Sequence, residues 1–137
     1  MQRTLVFVKP DAVELGLVGE VLSRFERERL RFAALELRHL EENLVRQHYV
    51  EHAGRDYYND LVAFVSSGPV VVMAVDGDDA VARVRALMGA TDPQKADPGT
   101  LRADFGTDIT HNVLHGSDSE YSAFRELRLF FPELPEE

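Results

Sequence analysis

The chain has 137 residues, 45% hydrophobic and 28% charged, enough for one ordinary domain and unlike either a disordered segment or a disulfide scaffold. It contains no cysteine, so disulfides, thiolate metal sites and a thiolate nucleophile are excluded together. Its formal charge of −9 at pH 7 repels nucleic acid at long range, so an anionic substrate has to be held locally by whichever of the 15 Lys and Arg residues converge.

Arg3 to Lys9 is a short β-branched and aromatic run halted by Pro10, which predicts a buried strand with Lys9 at its end. Leu17, Val18, Val21, Leu22 and Phe25 share one helical face, with Glu20, Ser23, Arg24 and Arg27 opposite. Phe32 to Leu40 alternates Leu35 and Leu37 with Glu36 and Arg38, the period of a strand with one wet face. Helical spacing returns at Leu44, Val45, His48, Tyr49 and His52, and a short helix follows at Leu61, Val62, Phe64 and Val65. Ser66-Ser67-Gly68-Pro69 is a turn, and the uniformly apolar Val70 to Val75 predicts a central strand covered on both faces. Asp76-Gly77-Asp78-Asp79 turns the chain again and offers an N-cap to a helix through Ala80, Val81, Val84, Leu87 and Met88.

No period survives from Ala90 to Asn112, and a loop of that length in a compact domain is the first place to expect a ligand. After a short strand, Ser117-Asp118-Ser119-Glu120 has the spacing of a capping box, ahead of a last helix with apolar Tyr121, Phe124, Leu127 and Phe131. The order predicts a single α+β domain over 1–137. Its plan is ferredoxin-like: a four-stranded antiparallel sheet (βαββαβ) with helices packed on one side and a long ligand loop. The longest apolar runs fall far short of the ~20 residues a membrane-spanning helix needs, and no apolar leader core opens the chain, so a cytoplasmic, membrane-free setting is expected.

Few residues declare chemistry singly. His115 precedes the capping box, close to a helix N-terminus that favours an incoming anion, and an unperturbed imidazole is largely neutral at pH 7. On spacing alone an ordinary loop histidine is the commoner case. Glu126 flanks the predicted apolar face of the last helix, where it could orient His115 or be a solvated charge. Arg85 lies at the edge of a buried stripe, and Arg102 and Thr91 lie in the long loop, so all three meet if that loop folds back. Tyr57 and Tyr58 read as packing residues before base platforms. His48 and His52 have the i, i+4 spacing of a zinc pair, but no glutamate follows the first and no third ligand is evident, so no protein-held metal site is expected. P-loop, Rossmann and nucleophile-elbow motifs are all absent.

Taken together, six ordered segments resemble the nucleoside diphosphate kinase family from Arg3 to about Pro132: Val8-Lys9-Pro10-Asp11, Gly16-Leu17-Val18-Gly19-Glu20, Ser67-Gly68-Pro69-Val70-Val71, Met88-Gly89-Ala90-Thr91-Asp92-Pro93, Pro98-Gly99-Thr100-Leu101-Arg102 and Asn112-Val113-Leu114-His115-Gly116-Ser117-Asp118. The resemblance implies a ping-pong transfer of the γ-phosphate of a nucleoside triphosphate, typically ATP, to a nucleoside diphosphate through phosphorylated His115. It further implies that Lys9, Arg85, Thr91, Arg102 and Asn112 bind phosphate and sugar, that Tyr57 stacks on the base, and that Tyr49, Ser117 and Glu126 support the histidine. Mg²⁺ bridging phosphate oxygens and a homo-oligomer of open size are implied as well, with no specific nucleic-acid partner. A catalytically silent nucleotide-binding regulatory module is the alternative on the same fold. Ala12 and Ala103 stand where glycine is usual in the family, which puts local backbone geometry in question. Tyr57-Tyr58 replaces a usual Phe pair, and the 56–60 segment departs from the family's usual turn.

Overall fold

A computed structural model describes residues 1–135. β1 (Gln2–Val8) leads into α1 (Pro10–Glu14), a short helix unannounced by periodicity, in which Pro10 takes a first-turn position where its lack of an N–H costs nothing. α2 (Val18–Arg27) and β2 (Arg31–His39) follow, then α3 (Glu42–His48), a 3₁₀ turn at Val50–His52 and α4 (Tyr58–Val65). β3 (Pro69–Gly77) and α5 (Ala80–Met88) precede the long loop, which contains a 3₁₀ turn at Pro93–Lys95 and α6 (Leu101–Phe105). β4 (Leu114–Gly116) and α7 (Glu120–Phe130) close the chain.

The four strands stand in the order β2-β3-β1-β4, every neighbouring pair antiparallel, as the ferredoxin-like plan requires. Alternate side chains of the central strands feed two cores. Val6, Val8, Met73 and Val75 face Val21 and Phe25 of α2 and Val84 and Met88 of α5. Leu5, Phe7, Val72 and Ala74 face Val45 of α3, Val62 and Val65 of α4 and Phe130 of α7. Helices therefore cover both faces rather than one. The uniformly apolar Val70 to Val75 demands this, since each fully buried valine or leucine contributes about 1.5–3 kcal/mol that a wet second face would forfeit.

Three local expectations change. Strand β2 forms where its alternation predicts, but its apolar members are not its dry ones: Leu35 is 47% and Leu37 71% exposed, because β2 is the sheet's edge. The cap of α7 is Ser119, whose hydroxyl accepts from Ser122 N–H, two residues beyond the predicted Ser117. That helix is rotated accordingly, so Ala123, Glu126 and Phe130 form its buried stripe while Tyr121 and Phe124 are exposed. Asp79 does occupy the N-cap of α5, but in a left-handed conformation without a capping bond, and the Gln2 side chain accepts from Val81 N–H instead. Ala12 and Ala103 sit in α1 and α6 with no positive φ, so the absence of glycine there carries no backbone cost.

Candidate active site

Pairing of β1 with β4 sets Phe7 opposite His115 and leaves Lys9 one residue past the end of its strand. Just before β4, Leu114 N–H donates to Asn112 O at 3.0 Å and Val113 has φ +81°, the signature of a γ-turn. A β-branched residue there costs about 1–3 kcal/mol, and its surroundings hold it. Val113 is fully buried, its N–H donates to Asp11 Oδ2 at 3.2 Å, and its carbonyl accepts from Lys9 N–H at 2.9 Å. The turn lays Asn112 beside Lys9, whose ammonium donates to Asn112 Oδ1 at 2.8 Å, while Asn112 Nδ2 donates to Thr91 O at 2.9 Å.

The long loop does fold back onto α5. Gly89, at φ +87°, lies so close that an added Cβ would come within 2.4 Å of Thr100 Oγ1. Arg102 fastens this return: its guanidinium donates to Asn112 O at 3.2 Å, Gly89 O at 3.2 Å and Leu114 O at 2.7 Å. It is a buried strut as well as a charge, a role its position in an aperiodic loop does not disclose.

His115 projects between two rings. It stacks on Phe7 at 5.0 Å between centroids and meets the edge of His48 at 4.4 Å. Its Nε2 donates to Glu126 Oε1 at 2.7 Å, and Ser117 Oγ donates to the same oxygen at 2.8 Å. The ring is thereby held in one tautomer, with its proton on Nε2 and a free lone pair on Nδ1. Burial first, then the charges of Lys9 and Arg102, hold the imidazole well below its ordinary pKa, so it is neutral at pH 7. Burial also raises the pKa of Glu126, against the lowering effects of His48 and the Ser117 hydrogen bond.

These groups open on a cleft of about 330 Å³. Lys9, Arg85, Thr91, Arg102 and Asn112 line it, as do Tyr49, Tyr57, His115 and Glu126, whereas Ser117 stands behind Glu126. Of Tyr57 and Tyr58, only Tyr58 packs inward, its hydroxyl donating to Arg46 O, while Tyr57 stays at the mouth. Burial, and next the charge of Arg102, lowers Lys9 to about 8; burial, and next the charge of Arg85, lowers Arg102 to about 10. Cations that depress one another around an open cleft bind a polyphosphate with the greater gain, in a molecule whose net charge repels one elsewhere.

The zinc-like spacing of His48 and His52 leads to no shared site: His48 turns to His115, and His52 Nδ1 bonds the Tyr57 hydroxyl at 2.7 Å. His48, His115 and Glu126 do offer ligand atoms within 4.8 Å of one another. The 2.7 Å His115–Glu126 contact is a hydrogen bond, tighter than the ~3.3 Å separating ligands around a tetrahedral zinc with ~2.0 Å bonds.

The nucleoside diphosphate kinase family model matches residues 2–135. The nucleoside diphosphate kinase of Thermobifida fusca is 51% identical over 134 residues, covering 98% of this chain and 99% of the relative. Among solved structures, a halophilic nucleoside diphosphate kinase from Halobacterium salinarum in complex with CDP superposes with a TM-score of 0.94 at 44% identity, over 99% of this chain and 92% of that one. The apo nucleoside diphosphate kinase from Encephalitozoon cuniculi gives 0.96 at 33%, over 100% and 94%.

The chain belongs to the nucleoside diphosphate kinase family. It is a phosphotransferase of that activity, in a family whose reaction uses a divalent cation. Against this identity, Ile109, which shares the cleft with Tyr57, is unmarked in the sequence, and His48, buried against His115, is marked there only by its zinc-like spacing from His52. Ile109 stands alone in the aperiodic loop. No helix among the described residues is long and apolar enough to cross a membrane.

Proposed function

We propose that His115 is the phosphate carrier of a ping-pong nucleoside diphosphate kinase, and that the whole chain works as one catalytic domain in the cytoplasm. The observation that carries this is the Nε2–Glu126 hydrogen bond, which leaves the Nδ1 lone pair free in a cleft lined by Lys9, Arg85 and Arg102. In the first half-reaction Nδ1 attacks the γ-phosphorus, an N–P bond forms, and the bond to the bridging oxygen breaks as the diphosphate leaves. In the second, a terminal oxygen of the acceptor diphosphate attacks the same phosphorus and the N–P bond breaks. The Nε2 proton stays where it is, and Glu126 stabilises the positive charge that develops on the ring. Lys9, Arg85 and Arg102 neutralise the transferring group, and Asn112 and Thr91 hold the sugar and phosphate side.

Tyr57 and Ile109 form the two walls of the mouth that take the base. That CDP is bound by the Halobacterium relative supports a nucleoside diphosphate in the same place here. Contact with the faces of a base tolerates any base, since base-edge hydrogen bonds are what discriminate. The carboxylates lining the cleft, Glu51, Asp118 and the engaged Glu126, do not amount to a cage. They fit Mg²⁺ carried in on the substrate's phosphate oxygens, where it would neutralise charge and fix the chain of phosphates. No observation favours a catalytically silent module, since His115, Glu126, Lys9, Arg85 and Arg102 all line one cleft.

Incubation with γ-labelled ATP and Mg²⁺ should label the protein with an acid-labile, base-stable phosphate that any of several nucleoside diphosphates discharges. His115→Ala should abolish both steps with the fold unchanged by circular dichroism. Labelling that survives in that variant would move the nucleophile elsewhere.

A further inference from the structure

The mouth of the cleft holds a polar contact that the phosphoryl-transfer chemistry does not use. Tyr57 is 47% exposed and sits at the N-cap of α4, yet its hydroxyl lies 2.7 Å from His52 Nδ1 in a side-chain hydrogen bond. His52 ends the 3₁₀ turn after α3, so the bond spans the exposed loop Ala53-Gly54-Arg55-Asp56, where Gly54 has φ +89°. The two rings lie 5.5 Å apart, and His52 in turn leans on the buried Tyr49 at 6.1 Å. A ring on a surface helix start would otherwise sample several χ1 wells, and ordering it when a ligand arrives costs affinity.

We propose that His52 and the Tyr57 hydroxyl form a clasp that locks the Tyr57 ring in its base-receiving position, making His52 a positioning residue for nucleotide binding. The inference rests on the reading of Tyr57 as the base platform. Removing the hydroxyl keeps the aromatic face but frees the ring, so the clasp acts on affinity and not on the chemical step. A neutral hydrogen bond of ordinary net strength corresponds to roughly a threefold to tenfold change in a dissociation constant.

The test is ADP affinity by calorimetry, with kcat and thermal midpoint measured alongside, in Tyr57→Phe, His52→Ala, the double variant and Tyr57→Leu. Tyr57→Phe should weaken ADP about threefold to tenfold, a larger change than any in kcat. In the His52→Ala background the same substitution should have no further effect. Binding of inorganic triphosphate, which has phosphates but no base, should be indifferent to Tyr57→Phe. Parent-like ADP affinity in Tyr57→Phe, or an equal loss in both backgrounds, would overturn the clasp, the second outcome meaning that the hydroxyl touches the nucleotide directly. If Tyr57→Leu also leaves ADP affinity intact, the platform reading itself fails; if it alone weakens binding, the platform stands without the clasp.

Discussion

As the proposed phosphate carrier, His115 needs a lone pair facing the cleft and a partner for the positive charge that develops when that pair is used. Glu126 supplies both conditions through one oxygen shared with Ser117. Glu126→Gln keeps the size and an acceptor but removes the charge, so phosphoenzyme formation in rapid-quench experiments should slow by roughly 10²-fold with little change in nucleotide affinity. A rate equal to the parent's would remove Glu126 from this role. Lys9 gives a prediction in pH. Its value of about 8 means that the ammonium is present below pH 8 and lost above it, so kcat/KM, which reports the free enzyme, should fall as pH rises through about 8. Stability moves the other way. An unfolded lysine keeps its proton up to its ordinary pKa of about 10.5, so between about 8 and 10.5 the unfolded chain binds more protons and stability rises with pH. Lys9→Arg should move the alkaline limb of kcat/KM upward, and a limb that stays near pH 8 would assign it to another group.

At the scale of elements, α7 shows how a local motif misdirects. Ser117-Asp118-Ser119-Glu120 satisfies the capping-box spacing, but the hydroxyl that caps is Ser119, and Ser117 is drawn into the core by Glu126. Ser119→Ala should therefore lower stability by about 1 kcal/mol, roughly 3–5 °C in thermal midpoint for a chain of this size, with phosphoenzyme formation unaffected. Ser117→Ala should instead slow that step, and the opposite pattern would make Ser117 the cap of α7. The error has a physical source. Periodicity marks apolar residues, whereas the stripe that α7 buries contains a carboxylate, kept inside because His115 and Ser117 satisfy it. The strands and the helices α2 and α5 were legible because their apolar periods match the faces they bury. The γ-turn at Val113 was not, because nothing in a valine announces φ +81°; only the contacts from Asp11 and Lys9 enforce it. Arg102 was legible only as a cation, since its three carbonyl partners come from segments up to 13 residues away. Lys9, Thr91, Arg102, Asn112 and His115 fall within the six family segments, whereas Tyr49, Tyr57, Arg85 and Glu126 fall outside them and follow only from the resemblance of the chain as a whole.

For the molecule as a whole, the unsettled feature is the free flank of β2. An edge strand presents a row of unpaired N–H and C=O groups, and proteins blunt such edges with lysine, proline or bulges. Here the span Arg31–His39 contains neither lysine nor proline, and its one register irregularity, between Phe32 and Ala34, leaves 34–39 in regular register with β3. Leu37 at 71% exposure and Leu35 at 47% sit beside Glu36 and Arg38, so the edge offers apolar area together with both signs of charge. A second copy related by a two-fold axis would meet that surface with the same surface, pairing strand to strand in an isologous contact. The homo-oligomer expected of the chain is therefore predicted to use this edge. Leu37→Lys places a charge where two edges would meet and should reduce the mass measured by sedimentation equilibrium by whole subunits, while each released chain retains the cleft, whose lining includes residues of α3, α4, α5, α6 and α7 but none of β2. An oligomer of unchanged mass in that variant would place the contact elsewhere, and loss of phosphoenzyme formation on dissociation would mean that a neighbouring copy holds the long loop in its folded-back position.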